Sequence, residues 1–496
     1  MPFLIFASLA VFVTLRILAI VCIPPLFDEM VQLYMARDIA HLLRFPIYFD
    51  GQQYMGPLES YVLAPLIRWF GFSFMKGRIF NELFYLIFMG IYLDVVRRLF
   101  DRELTFYLFV LLCILPFNAL FFTTVVGYGE ILSLAILSLA LLMKICAGTR
   151  GTRGYALLLG VLSGLAFWCN SIFVVWLAPI FVILVAFVPS SWKRKIPLIF
   201  ALGFLAGLFP LWIHGLQTGT FMSVQAAGNR FAKIEDVPRI CFLFFSRLRF
   251  FLSTYSFDRD PQWLRDLILA TSFPPLALFI VSFFALTFSF FKSYGNIKPS
   301  LKIFYFFIIF SSLILGILYV SRDLIADEGM RYFLPLVIPY VFALSWWLRN
   351  LSSSFWKKTC LVSIAAILLL DSFVSFYTQH RDRVELSEIL QFLDKKQLRF
   401  GVAVADPSYA LNALSRDKIL VTPLWATARY KPIWETVREK KPEFFILDRG
   451  APFFQKDLES DPKLRKVSFS RYEIFYGKSE LFQKILEMKG LPPYNL

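Results

Sequence analysis

Eleven apolar runs constrain this 496-residue chain more than any other feature, at about residues 3–24, 78–96, 104–122, 127–146, 154–170, 172–189, 196–214, 267–291, 303–320, 332–348 and 359–377. Each is roughly long enough to cross a ~30 Å hydrocarbon layer at ~1.5 Å per helical residue. No water reaches that layer, so a spanning segment must satisfy its own backbone and therefore coils into a helix. Composition agrees: 58% of residues are hydrophobic and 17% charged, with a mean hydropathy of +0.64. The fold class expected is a polytopic α-helical membrane protein with about eleven spans. Segment 58–72 is shorter and carries Glu59 and Arg68, so it reads as an amphipathic helix lying on the membrane surface.

Charge fixes the expected orientation. The net charge is +16, yet residues 378–496 contribute 21 basic against 16 acidic side chains, leaving a surplus of 11 in the apolar part. Much of it lies in short loops, as Arg97/Arg98/Arg102, Lys144/Arg150/Arg153, Lys193/Arg194/Lys195, Lys292/Lys298/Lys302 and Arg349/Lys357/Lys358. Cytoplasmic loops are the positive ones. With eleven spans these five all fall inside, giving a cytoplasmic N-terminus and an outside C-terminus. Counting 58–72 as a span would send them outside. Charge spread over such loops argues against nucleic-acid binding. The first run carries Arg16 and no small-residue cleavage site, so it reads as an uncleaved signal anchor. The six cysteines sit in or beside apolar runs without a CxxC pair, and His41, His214 and His380 are scattered. Neither a disulfide framework nor a zinc site is indicated. Asp371 lies near the outer end of the last run, where solvation is expected.

The expected organisation is a transmembrane domain, 1–377, with long extracytoplasmic loops 25–77 and 215–266, followed by an extracytoplasmic domain, 378–496. In the latter, strand-like RFGVAVA, KILVTP and EFFILD alternate with helix-like PSYALNALS and IWETVREKK. A hairpin, KVSFSRYEIFYG, and a terminal helix, ELFQKILEMKG, follow. That alternation implies a small α/β domain with a partly parallel sheet.

The polar groups that interrupt the apolar pattern gather on the outer side. Asp28-Glu29 stand directly behind the first run and its terminating Pro24-Pro25. Acids so close to hydrocarbon mark either the membrane face or a buried site; Asp28 can also cap the following helix. Gln52-Gln53-Tyr54-Met55-Gly56-Pro57 forms a turn leading back to Glu59. Val126-Gly127-Tyr128-Gly129-Glu130 opens the fourth run, with glycines that permit a sharp turn or close approach to a ligand. Glu130 there also suits a helix dipole. Arg322-Asp323, Asp327-Glu328 and Arg331-Tyr332 lie between the ninth and tenth runs. A guanidinium in that loop can bind phosphate side-on or pair with its acidic neighbours.

Together with the WCN turn at Trp168–Asn170 and RYFLPLVIP before a late span, these segments resemble the C-type (GT-C) membrane glycosyltransferases. The nearest resemblance is to the family-39-like group of protein O-mannosyltransferases and aminoarabinose transferases of lipid A, over about residues 1–350. The resemblance implies a polyprenyl-phosphate sugar as donor. It places Asp28 at the reacting centre, Glu29 as its partner, Glu130 at the second acidic position and Arg331 near the late basic residue. One departure stands out: the family's basic residue or His before Pro-Pro is replaced here by Tyr54-Met55-Gly56-Pro57, which leaves the acceptor open and the donor class unchanged.

Chemistry fits these placements. An inverting transfer needs one base for the acceptor hydroxyl, here Asp28, while a lipid phosphate leaves without a general acid. Cations should steady the departing phosphate. Arg331 is the first candidate, flanked by Tyr332, with Arg78 and Lys76 behind it. Glu29 and Glu130 orient substrate, and Gln53, Tyr54, Glu59 and Tyr128 are candidates for positioning acceptor or sugar. A divalent cation (Mg or Mn) bridged by Asp28 and Glu130 is one option these carboxylates leave open. The expected partners are the lipid-linked donor, membrane lipid and a glycan, lipid or protein acceptor, at a bacterial inner membrane. The competing reading, a transporter or flippase of lipid-linked saccharide, calls for polar residues through the spans and repeat symmetry, and the sequence shows neither.

Overall fold

The computed structural model describes residues 2–52, 55–219, 237–252, 262–321, 329–403, 405–424, 429–449 and 454–487. Gln53, Tyr54, the stretch 322–328 and much of the second long loop lie outside the described residues.

The apolar runs become helices. In order these are α1 (Pro2–Cys22), α2 (Phe27–Ala40), α3 (Leu58–Phe70), α4 (Phe74–Leu99), α5 (Arg102–Cys113), α6 (Phe117–Thr124), α7 (Gly129–Cys146), α8 (Thr152–Cys169), α9 (Val174–Phe187), α10 (Lys195–Gly207), α11 (Phe209–Thr218), α12 (Val237–Phe251), α13 (Gln262–Ser293), α14 (Pro299–Ser321), α15 (Val337–Asn350) and α16 (Ser354–Lys395). Among the described residues, eight helices are long and apolar enough to cross a membrane, and two bent pairs raise the number to ten. The apolar segment Ser171–Phe187 is shorter.

Two runs expected to be straight are broken. α5 and α6 meet at 73°, α10 and α11 at 52°. A proline stands at each break, Pro116 as the N-cap of α6 and Pro210 in the first turn of α11, and neither has a backbone N–H to carry on the hydrogen-bond ladder of the helix before it. Ile114 ends α5 at φ −124°, ψ 65°.

By contacts the chain divides into two compact units, one of residues 1–19, 54–56 and 79–375, the other of 20–53, 57–78 and 376–496. The first long loop therefore groups with the C-terminal region.

In the first unit, α8 and α10 approach closely through facing glycines. A Cβ on Gly160 or Gly164 would strike the Phe200 or Phe204 carbonyl, and one on Gly203 or Gly207 the Leu157 or Val161 carbonyl. Two small-xxx-small stripes thus let backbone pack on backbone, where apolar burial alone gives helices little reason to associate. Arg16, inside α1, pairs with Glu82 of α4 at 3.1 Å and donates to the Thr123 and Thr124 hydroxyls at 3.0 and 2.9 Å. Its guanidinium also covers the Tyr85 ring at 3.9 Å. Asp371, expected to be solvated, is instead buried, near Tyr340 of α15.

In the second unit, β1 (Phe400–Ala403), α17 (Ala405–Ser415), β2 (Leu420–Pro423), α18 (Lys431–Lys440), β3 (Phe444–Asp448), α19 (Gln455–Ser460), β4 (Arg465–Ser468), β5 (Tyr472–Tyr476) and α20 (Glu480–Glu487) form the expected α/β domain. The strand order is β2-β1-β3-β5-β4. β1 pairs in parallel with β2 and β3, joined by helical crossovers, and the β4–β5 hairpin closes the sheet antiparallel. Asn412 fastens α17 to β2, exchanging hydrogen bonds with the Val421 backbone at 2.6 and 3.0 Å.

Candidate active site

α2 carries the acidic pair, and the two carboxylates have different surroundings. The helix starts at Phe27 with Leu26 as its N-cap, so Asp28 is a first-turn residue and not the cap expected of it. The capping carboxylate is Glu29, whose Oε2 accepts from the Leu26 N–H at 3.0 Å.

Glu29 is held side-on by Arg78, with Nε and Nη2 donating to its two oxygens at 2.6 and 2.7 Å. Both side chains are buried, 4% and 0% exposed. The remaining Arg78 hydrogens go to the carbonyls of Ile20 (3.1 Å), Ile23 (2.8 Å) and Pro24 (2.9 Å), where α1 ends. All five N–H donors are thereby used. Arg78, expected among the phosphate-binding cations, instead closes the end of α1 and fixes the start of α2. Lys76 is similarly engaged: it is exposed and donates to the Phe70 carbonyl at the end of α3.

Asp28 faces more open ground. It is 30% exposed and pairs with Arg429, itself 22% exposed. Arg429 just precedes α18 and was not singled out from sequence. Its Nη1 and Nη2 also donate to the Gln52 amide oxygen at 2.8 and 3.0 Å, in the amide orientation the guanidinium requires. Phe27 covers the guanidinium at 5.1 Å. Gly51 makes room for the stem, since at its φ of +77° a Cβ would stand 2.7 Å from Arg429 Cγ. A carboxylate, a guanidinium and an amide are thus fixed at the start of α2.

Behind them is a polar and aromatic layer. Asp38 accepts from Tyr430 (2.9 Å) and Arg44 (2.7 Å), and Arg44 also holds Asp50. Tyr34 and Arg37 donate to Asp417 at 2.9 and 3.0 Å. The Phe27 and Tyr409 rings stack at 4.7 Å, Tyr34 and Tyr430 at 4.8 Å. Burial pushes the Tyr409 hydroxyl up to about 12. It also raises Tyr34, with Asp417 adding to the effect. Both hydroxyls stay protonated at neutral pH: Tyr34 donates to Asp417, and Tyr409 accepts from the Tyr430 N–H at 3.2 Å. Glu59, a proposed positioning residue, is buried and bonded to Gln32, whose carbonyl takes the Ser60 hydroxyl at 2.9 Å.

Glu130, Tyr128, Arg331 and Tyr332 belong to the first unit. Gly127 turns at φ +83°, and the buried Glu130 lies in the first turn of α7. Gly129 lets α7 approach α4, a Cβ there standing 3.2 Å from Phe84 Cβ and the Tyr85 nitrogen. Gly56 donates to the Trp168 and Cys169 carbonyls at 2.8 and 3.2 Å, so the returning segment and the WCN turn meet. Arg331 lies over the Tyr332 ring at 5.3 Å. Among the described residues no three His, Cys, Asp or Glu side chains come together as a metal site.

The model of a family described as dolichyl-phosphate-mannose-protein mannosyltransferase matches residues 55–214. Among solved structures, ArnT from Cupriavidus metallidurans bound to undecaprenyl phosphate is similar over 96% of this chain and 98% of its own, with TM-score 0.58 and 10% identity. Its apo form matches over 95% and 97%, with TM-score 0.56 and 11% identity. The chain has the GT-C fold. A further likeness, to the archaeal oligosaccharyltransferase AglB from Archaeoglobus fulgidus, has TM-score 0.47 and 12% identity over 89% of this chain and 69% of that one. No curated protein sequence matches. Fold and matched family model are both those of glycosyltransferases, and the GT-C chain is a multi-pass membrane protein. The family match takes in Glu59, Arg78 and Glu130 but begins after Asp28.

Proposed function

We propose that this chain transfers a sugar from a polyprenyl-phosphate-linked donor to an acceptor outside the cytoplasm, with inversion at the anomeric carbon. The observation that carries this reading is the near-complete overlap with ArnT, a protein solved with undecaprenyl phosphate bound. Asp28 adds to it, as a part-exposed carboxylate beside fixed cationic and amide groups at the start of α2.

In the reaction, the Asp28 carboxylate takes the acceptor hydroxyl proton as that oxygen attacks the anomeric carbon. The carbon–oxygen bond to phosphate breaks, and the polyprenyl phosphate leaves with the electron pair. Glu29 contributes by position: bound to Arg78, it fixes the first turn of α2 and so the backbone that presents Asp28. Glu130 orients acceptor or sugar. The acceptor class in this reading is an envelope glycan, lipid A or protein, and the positive loops support a site on the outer face, at a bacterial inner membrane.

The test is transfer of labelled sugar from an undecaprenyl-phosphate donor by purified protein, with lipid A, O-antigen and peptide offered in turn. A glycosylated product is expected with one of them. Movement of the labelled lipid across liposomes, with no covalent product from any acceptor, would overturn the reading in favour of a transporter.

A further inference from the structure

An arginine carries five N–H donors arranged as two forks, one between the terminal nitrogens and one along the edge formed by Nε and Nη2. In Arg429 the terminal fork rests on the Gln52 oxygen at 2.8 and 3.0 Å. The other Nη1 hydrogen goes to Asp28. Two hydrogens are left, on Nε and Nη2, and they make up the side-on fork. Among the described residues that fork meets no acceptor. Arg78 shows what the same edge takes when it is occupied: the two oxygens of a carboxylate, at 2.6 and 2.7 Å.

A mobile arginine with spare donors would mean little. Arg429 is held on several sides: by Gln52 and Asp28 at its tip, by the Phe27 ring at 5.1 Å, and by Gly51 against its stem. Its side chain is nonetheless 22% exposed, so Arg429 is not sealed from a ligand. A pre-oriented planar fork matches the oxygens of a phosphate, and little side-chain freedom remains to be lost on binding.

We propose that the side-on fork of Arg429 binds the phosphate of the lipid-linked donor. The assignment rests on the donor class proposed above and deepens it. In an inverting displacement the base and the leaving group flank the anomeric carbon. One guanidinium bonded to Asp28 along one edge and open along another serves both: it orients the carboxylate and steadies negative charge as it grows on the departing phosphate. Arg78 and Lys76, expected for that task from sequence, are already engaged at helix ends.

The experiment uses the full chain in detergent. Binding of undecaprenyl phosphate, of neutral undecaprenol and of inorganic phosphate is measured for wild type, Arg429→Gln, Arg429→Lys and Asp28→Asn. Arg429→Gln should weaken undecaprenyl phosphate by about tenfold or more, the scale of a charge-assisted bidentate contact, and leave undecaprenol unchanged. Arg429→Lys should recover little, since an ammonium lacks the planar fork. Asp28→Asn, which breaks the same ion pair and spares the fork, should bind undecaprenyl phosphate at least as well as wild type.

Equal loss in Asp28→Asn and Arg429→Gln would reduce Arg429 to a latch and overturn the proposal. So would loss of undecaprenol together with the phosphate, or inorganic phosphate binding as tightly as the lipid. The donor reading fails separately: it falls if wild type transfers no sugar from a polyprenyl-phosphate donor. If wild type transfers sugar and Arg429→Gln keeps its donor KM, the donor class stands and the role of Arg429 falls.

Discussion

Neighbouring acids with unequal surroundings should respond unequally to the same mutation. Glu29 and Arg78 are 4% and 0% exposed, and the guanidinium spends all five donors on Glu29 and three carbonyls. Removing one partner of a buried pair leaves an uncompensated charge and costs about 3–5 kcal/mol. Glu29→Gln should therefore lower the thermal midpoint of the purified protein by an amount on the order of 10 °C, taking the second unit as the cooperative element. Arg78→Ala should do at least as much, since it also orphans the carbonyls of Ile20, Ile23 and Pro24. Arg78→Lys keeps the charge but offers three donors for five sites, and should fall between. Asp28 and Arg429 are 30% and 22% exposed; pairs of this kind are worth about 0–1 kcal/mol once solvent screening is counted. Asp28→Asn should thus stay within a few degrees of wild type while transfer is lost. The assay is a thermal scan in detergent read by intrinsic fluorescence, beside turnover. Equal midpoints for Glu29→Gln and Asp28→Asn would refute the division of labour between the two acids.

Other consequences are direct. Gly164→Leu would drive a side chain into the Phe204 carbonyl, so the α8–α10 pair should separate and the monodisperse peak in size-exclusion chromatography should be lost, whereas Gly154→Leu, with open space around it, should be tolerated. Burial holds the Tyr409 hydroxyl up to about 12 and raises Tyr34 and Tyr430, and unfolding returns each to ~10. Above pH ~10 the unfolded chain loses protons that the folded one keeps, so stability is full below pH ~10 and falls as pH rises, by about 1 kcal/mol at pH 11 for Tyr409, with Tyr34 and Tyr430 acting in the same direction; thermal scans from pH 8 to 11 should show the decline, and Tyr409→Phe should make it shallower. For orientation, cysteines placed at the exposed Leu43 and Arg98 in a background lacking the six native ones should label from opposite sides of the membrane, the first from outside; labelling of both from one side would contradict the expected topology.

The helical fold was legible because a hydrocarbon layer imposes length and apolarity, and both can be counted along a sequence. The sheet domain was legible because its strands and helices alternate at short spacing. The breaks at Pro116 and Pro210 needed only a closer reading of proline. The site was harder. Asp28 and Glu29 are indistinguishable as letters, and their difference comes from partners about 50 and 400 residues away: Arg78, read as a phosphate ligand because it is basic and near the outer face, and Arg429, which sits before a helix with no motif around it. No local pattern marks a contact of that separation. The nearest signal was Gln52, the first residue of the turn read from the sequence; with Gly51 before it, which drew no notice there, it forms the seat of Arg429. Burial of Asp371 was missed because its neighbour Tyr340 is 31 residues away on α15, a packing contact that position within an apolar run does not reveal.

The central claim is that Asp28 takes the acceptor proton in transfer from a polyprenyl-phosphate sugar. Its most direct test is single-turnover transfer by wild type and Asp28→Asn, both shown to be folded by their thermal midpoints and both loaded with donor. The account predicts donor binding in both, and a loss of about 10²-fold or more in the rate of the chemical step for the variant, as removal of a general base gives. An Asp28→Asn variant that binds donor and transfers sugar at the wild-type rate would contradict it.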